Sequence, residues 1–391
     1  MNRPMVDVFF ALLRGYATGT GRVTEDQRNT AQASLSSLYS LSARHDLAHL
    51  VGHALFEEGI ADGGEAQAAF EKQQMLAIFR HEGFAFETEQ IEAALEAAGI
   101  PFVILKGSVL RRLYPEPWMR TSCDVDVLVH PEDLAAAEAY LAARLGYRRE
   151  GDGPHDVTLV SEGGVHVELH FSLVEERRAK GAYRMLSRVW DYAALREGWR
   201  FNYELSDEFF YFYHVAHMAK HFSEGGCGVR AFLDLWFLEQ LPHDEAARDA
   251  LLAEGGLSSF AKTARTLCRR WFSGEEYHAD AFAEMVEQFV LFGGVYGSKE
   301  NYVAIHQKRT GGKGRYVLAR MFLPYEEMKY FYPVLKKAPL LLPVFWVWRW
   351  IDHLAHGGAK RSLRELERNR TLSPEERDAT ASMLSQLGLF E

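Results

Sequence analysis

Residues 100–129 read IPFVILKGSVLRRLYPEPWMRTSCDVDVLV, and the order of residue types in this stretch decides the fold. Pro101-Phe102-Val103-Ile104-Leu105 is a short apolar run rich in strand formers, bounded by Lys106-Gly107-Ser108. Val109 to Tyr114 has the spacing of a short helix. Val125 to Val129 is a second strand, with Asp124 and Asp126 at alternate positions where it begins. Residues two apart on a strand project from one face, about 6–7 Å apart. That spacing suits two carboxylates sharing a pair of magnesium ions, which phosphoryl-transfer sites hold about 3.5–4 Å apart.

Upstream, Ala31 to Leu41, Leu47 to Phe56, Ala66 to Phe86 and Glu89 to Ala98 carry apolar residues at helical spacing. Gly59 and Asp62-Gly63-Gly64 break the pattern, and Gly99 ends it. Downstream, Pro131 to Leu145 reads as a helix closed by Gly146. Val157 to Val160 and Val165 to Phe171 read as a hairpin joined by Ser161-Glu162-Gly163-Gly164. Helices return after about residue 176: Asp207 to Phe222 behind Ser206, Arg230 to Gln240, Asp244 to Glu254 and His278 to Phe292. Gly293 to Gly314 is loop-like, and Ser373 with Glu376 forms a capping box before a helix at Pro374 to Leu387. The expected architecture is an α+β core, a short mixed sheet with flanking helices, embedded between helical regions. Its segments are 1–98 (N-terminal helices), 99–175 (core), 176–310 (helical domain completing a cleft) and 311–391 (C-terminal helices).

Composition narrows the function. Lys plus Arg is 44 and Asp plus Glu 54, a formal charge of 44 − 54 = −10 over 391 residues. An acidic chain gives no electrostatic reason to expect a long nucleic-acid partner. The three cysteines form no CxxC pair, so no thiolate zinc site is expected. Met1 to Leu13 lacks a signal-peptide layout. Ala338 to Ile351 is interrupted by Pro339, Pro343 and Arg349, short of the ~18 apolar residues of a transmembrane segment. A cytoplasmic location is the expectation. The aromatic run Phe345 to Trp350 is expected to pack against the core, with a membrane surface or a partner as the alternative.

As a spacing, Asp124-Val125-Asp126 says little, because 54 acids in 391 positions give about seven such pairs by chance. Context adds weight. In Lys106-Gly107-Ser108 the glycine lets backbone N–H groups approach a triphosphate, Ser108 can donate to a phosphate oxygen and Lys106 can offset its charge. His166-Val167-Glu168-Leu169-His170 puts His166, Glu168 and His170 on one strand face, and Glu168 is the natural third metal ligand. His214, His217 and His221 share a helix face, which admits a zinc site or a pocket wall made with Lys220 and Arg230. The pocket wall is the preferred reading, with Asp234 holding Arg230.

The residues from Ala97 to Ser108, then Leu113-Tyr114-Pro115, Arg120 and Asp124 to Val129, resemble the uncharacterised nucleotidyltransferase family of the polymerase-β-like superfamily. Pro131-Glu132-Asp133-Leu134, Leu145-Gly146-Tyr147, His155 and Val167 to Phe171 continue the likeness, which spans roughly residues 35 to 240. The Lys220-His221 pair with the later Arg230 and Asp234 also recurs in it. The resemblance implies two-metal transfer of a nucleoside monophosphate, releasing pyrophosphate. Asp124 and Asp126 would bind both Mg2+ (or Mn2+) ions and Glu168 the catalytic one. Lys106, Gly107, Ser108, Arg120, Lys220, His221 and Arg230 would bind the nucleotide, with His155, His170, His217 and Asp234 behind them. The implied substrates are an NTP, ATP by preference, and a small-molecule or protein acceptor. Two departures stand out: Cys123 separates Ser122 from the first acid, and the gap from Gly107 to Asp124 is longer than the compact superfamily pattern. A non-catalytic nucleotide-binding member and a zinc hydrolase on the histidine helix are the competing functions.

Overall fold

The structure, a computed structural model, describes residues 2–19, 22–60, 63–174, 180–275, 280–356 and 359–390. Among these residues seven strands form one mixed sheet: β1 (Phe102–Ile104), β2 (Asp124–Val129), β3 (Arg148–Asp152), β4 (Asp156–Val160), β5 (His166–His170), β6 (Ala193–Leu195) and β7 (Asn202–Leu205). Their order is β3-β4-β5-β2-β1-β7-β6. β2 runs parallel to β5 and antiparallel to β1, while β7 joins β1 in parallel.

The two-residue period of the central strands divides the sheet into an apolar and a polar face. Val125, Val127 and Val129, with Val167 and Leu169, pack against Ile91 and Leu95 of the long helix and against Ala137 and Leu141 of the helix Leu134–Leu145. Asp124, Asp126, Glu168 and His170 occupy the alternate positions and so face the other way. There the helices Asp207–Phe222 and Val229–Gln240 stand, inside a larger apolar core that also takes in the N-terminal helix Arg3–Leu13.

Several elements differ from expectation. Ala66–Phe86 and Glu89–Ala98 are one 34-residue helix, Glu65–Ala98. Neither glycine nor proline stands between them, and the Thr88 hydroxyl donates to the Phe84 carbonyl at 2.7 Å within the helix. Conversely, Ala31–Leu41 is broken at Ser34 into Glu25–Ala33 and Leu35–Arg44. β3 is an exposed polar edge and β6 is three residues long, so neither carries an apolar alternation that could announce it, and β7 alternates over only four residues, Asn202-Tyr203-Glu204-Leu205. The sheet therefore draws on residues 193–205, past the stretch 99–175. The helix Ser258–Phe272 was not anticipated, and a second, Lys299–Thr310, lies within the glycine-rich stretch, started by Ser298, whose side chain accepts from the Asn301 N–H. The expected helix from His278 begins at Ala281 among the described residues; His278 itself lies outside them.

The aromatic helix Leu342–Ala355 corrects another expectation, since none of its residues is buried. Leu342, Phe345 and Trp346 pack on a small separate cluster of Leu323, Met328 and Leu335, and the opposite side of the helix is exposed. No helix among the described residues is long and apolar enough to cross a membrane.

Candidate active site

Strand register assembles the acids. In the β2–β5 pair Asp126 lies beside Glu168, Asp124 beside His166 and Leu128 beside His170. Carboxyl oxygens of Asp126 and Glu168 and a ring nitrogen of His170 lie within 4.8 Å of one another, and His155, Asp156 and His170 form a second such group. Asp126 is buried, and its Oδ1 accepts from Lys106 Nζ and meets His170 Nε2, each at 2.8 Å. His170 Nε2 is also 3.3 Å from Glu168, which keeps 32% of its side chain exposed. Burial alone would raise the Asp126 pKa, but Lys106 and His170 together hold it well below the ordinary carboxylate range. Asp124 has no such counter-charge at contact distance. Burial, then repulsion from Asp126 and Glu168, pushes it up to about 6. His166 takes no part in the cluster, as its Nδ1 pairs with Glu150 at 3.0 Å.

The strand-to-helix junction is tighter than a phosphate loop. The five-residue helix Lys106–Leu110 begins at Lys106 itself, which adopts φ +38°. This left-handed conformation is costly for a lysine and aims its ammonium at Asp126. At Gly107 a Cβ would come 2.9 Å from Ser122 Cβ, so close packing alone requires glycine there. Ser108 departs from its expected role: it is buried, with its hydroxyl 3.5 Å from that of Thr88, and does not line the cavity.

The facing wall is the helix Asp207–Phe222, capped by Ser206 as expected. Its three histidines do not converge on one point. His214 Nε2 meets the Ala231 carbonyl at 2.9 Å, whereas His217 and His221 face each other, Nε2 to Nε2, at 3.1 Å. Among the described residues they form no group able to hold a metal, which removes the zinc site. Burial first, then Lys106 and His221, drives His217 well below the ordinary imidazole value, and burial with Lys220 brings His221 down to about 4. Both imidazoles are neutral at pH 7. Asp234 does not hold Arg230. It accepts from Arg120 at 2.9 Å and from the Tyr114 hydroxyl at 2.8 Å, all deeply buried, while Arg230 pairs with Asp46 and reaches the Thr121 carbonyl at 3.3 Å. Arg120 is therefore a tie between the β2 approach and the helix Val229–Gln240.

These walls enclose a cavity of about 340 Å³, within the size of small-ligand sites. Lys106, Gly107, Arg120, Asp124, Asp126, His155, Glu168, His217, Lys220, His221, Arg230 and Asp234 all line it. Asp156, Tyr213 and Tyr296 line it too and were not anticipated. Tyr213 was legible, standing four residues before His217 on the same helix face. Tyr296 was not, because it arrives through a contact between two glycine turns. A Cβ at Gly297 would fall 2.1 Å from the Gly225 backbone, so only glycine allows that approach. Asp46 likewise reaches Arg230 across 184 positions of chain.

A mixed sheet flanked by helices, with carboxylates paired on neighbouring parallel strands, defines an α+β nucleotidyltransferase core. The chain belongs to the family described as "Uncharacterised nucleotidyltransferase", which it matches over residues 32–273. No curated protein and no solved structure matches it.

Proposed function

We propose that this chain is an active nucleotidyltransferase that moves a nucleoside monophosphate from an NTP, ATP in the first instance, to a hydroxyl or similar acceptor on a small molecule or protein. The observation that carries the proposal is the β2–β5 register, which sets Asp126 beside Glu168 with Asp124 two residues away on the same face. Burial with Asp126 and Glu168 close by outweighs the positive charges of Lys106 and Arg120 and leaves Asp124 protonatable near pH 6, and oxygen donors of this kind fit hard divalent cations. Asp124, Asp126 and Glu168 would hold two of them, Mg2+ or Mn2+. Cations bound there would offset the charge that builds on the transferring phosphoryl group.

The chain's own residues do the rest. Lys106 and His170 keep Asp126 ionised. Lys220 and Arg230 offer positive charge to the triphosphate across the cavity, and neutral His217 and His221 offer hydrogen bonds. Arg120 and Asp234 fix the wall that carries Arg230. The acceptor oxygen attacks the α-phosphorus, the bond to the bridging oxygen breaks, and pyrophosphate leaves. Glu168, partly exposed, is suited to orient the acceptor or take its proton. A second cavity of about 560 Å³ shares Tyr213, His217 and Lys220 with the first and gives room for an acceptor.

The test is incubation with each α-labelled NTP, Mg2+ or Mn2+, and a cell extract, following label transfer and pyrophosphate release. Transfer that persists in Asp124→Ala/Asp126→Ala would sink the site. Nucleotide binding without transfer under all conditions would favour a non-catalytic member of the family.

A further inference from the structure

The C-terminal region carries a surface that nucleotidyl transfer does not use. Among the described residues, 13 of the 21 exposed large apolar side chains lie between Leu318 and Leu354. The helix Leu342–Ala355 is apolar on two opposite sides. Its inner side rests on the Leu323, Met328 and Leu335 cluster, and Trp346 and Trp350 donate from Nε1 to the Leu323 and Met321 carbonyls at 2.8 and 2.9 Å. Its outer side presents Val344 (61% exposed), Val347, Trp348 (59%), Ile351 and Leu354. At 100° per residue these span an arc of about 120°. Just before the helix, Leu340 stands 94% exposed after Pro339, directly behind the exposed pair Lys336-Lys337.

Charge selects the occupant. Residues 311–356 hold seven basic residues (Lys313, Arg315, Arg320, Lys329, Lys336, Lys337, Arg349) and three acids (Glu326, Glu327, Asp352), a net of 7 − 3 = +4. The whole chain is −10, so the remainder is −10 − 4 = −14. Neither Lys336 nor Lys337 is in an ion pair among the described residues. A second copy docked symmetrically through this face would bring its own exposed Lys336-Lys337 pair toward the first, which like-charge repulsion opposes. An anionic lipid surface complements both properties: apolar side chains enter the acyl boundary, lysines sit at the headgroups, and the outward tryptophan straddles the two.

We propose that the exposed face of Leu342–Ala355, with the Lys336-Lys337-Ala338-Pro339-Leu340 tip, docks the protein in plane on an anionic membrane surface. The test is co-sedimentation of the full chain with phosphatidylcholine vesicles, with and without phosphatidylglycerol. Binding is expected to the anionic vesicles and to weaken with added salt. Lys336→Gln/Lys337→Gln should weaken it about 30-fold, from about fivefold per surface lysine. Leu340→Ser/Val344→Ser/Ile351→Ser should abolish it while circular dichroism and NTP affinity stay as in the parent. A full chain that ignores both vesicle types overturns the proposal. So does a concentration-dependent doubling of mass, abolished by the triple serine variant, since the face would then be a contact between copies.

Discussion

The two walls of the cavity bury ionisable groups and treat them in opposite ways. On the strand wall Asp126 is buried and stays ionised, because Lys106 and His170 share its Oδ1. On the helix wall His217 and His221 are half-buried and lose their charge, because desolvation is reinforced by each other and by the positive charges of Lys106 and Lys220. Burial pushes every such group toward neutrality, and what stands within about 3 Å decides whether the push succeeds. One wall therefore asks for cations, and the other offers hydrogen bonds without adding to the charge.

The largest expected effect comes from breaking the ionised wall at its centre. Asp126→Asn should lower the transfer rate at least about 1,000-fold, or about 4 kcal/mol of transition-state stabilisation. It should also cost about 3 kcal/mol of stability, since Lys106 and His170 lose the charge they were buried against. Label transfer and urea unfolding on the same preparation check both. Glu168→Gln sharpens the comparison. Its side chain is partly exposed, so unfolding should shift by no more than about 1 kcal/mol while the rate falls about 100- to 1,000-fold. An Asp126→Asn variant with parental rate would show that this wall is not catalytic.

The strand wall was the more legible of the two in the sequence, and the reason is geometric. A period of two commits Asp124 with Asp126, and Glu168 with His170, to one face as soon as the strands are recognised. The apolar partners Val125, Val127, Val167 and Leu169 announce those strands. On the helix wall, periodicity brought His214, His217 and His221 to one side but could not show that His214 turns to the Ala231 carbonyl. Nor could it pair Asp234 with Arg120 instead of Arg230, because Arg230 stands one turn away on the same helix whereas Arg120 arrives only through tertiary packing, 114 positions away in the chain. The glycine of Lys106-Gly107-Ser108 is expected to let backbone N–H groups approach a triphosphate, whereas the close neighbour that the fold sets against Gly107 is Ser122. Short strands such as β6, at the sheet edge, and β7, between β1 and β6, were missed because three or four residues are too short a run to stand out from a loop.

A smaller effect should come from Asp124, the acid with no ion-pair partner at contact distance among the described residues. Its pKa in the folded chain, about 6, lies above its ordinary 3.8. The folded state therefore binds the extra proton between these values, and stability falls as pH rises from about 4 to about 6. By pH 7 the cost is on the order of 3 kcal/mol. Asp124→Asn should stabilise the cation-free chain at pH 7 by about that amount and make almost no difference at pH 4, as thermal unfolding at the two pH values would register. Added Mg2+ or Mn2+ should raise the parent's melting temperature and have less effect on the variant. Equal stability of parent and variant across this range would mean that Asp124 is not held under strain by its neighbours.

The smallest effect is expected on the neutral wall, and its size is the point. His221 has a pKa of about 4 against an ordinary 6.5, set by burial and then by Lys220, so at pH 7 it can offer a phosphate only a hydrogen bond. Glutamine also offers one. His221→Gln should therefore change NTP affinity less than about fivefold at pH 7, within about 1 kcal/mol. Lys220→Ala removes a charge from the same cavity wall and should weaken binding more, by about tenfold, with a loss that shrinks as salt is added. Acid gives the second signature. A depressed histidine contributes stability above pH 6.5 that is lost as pH falls toward 4, and His221→Gln should lose less of it than the parent. Isothermal titration with a non-hydrolysable NTP analogue at pH 7, with thermal unfolding at pH 7 and pH 5, reads all three. An affinity loss for His221→Gln as large as that for Lys220→Ala would mean that the imidazole is charged when nucleotide is bound, and the contrast between the walls would then belong to the empty cavity alone.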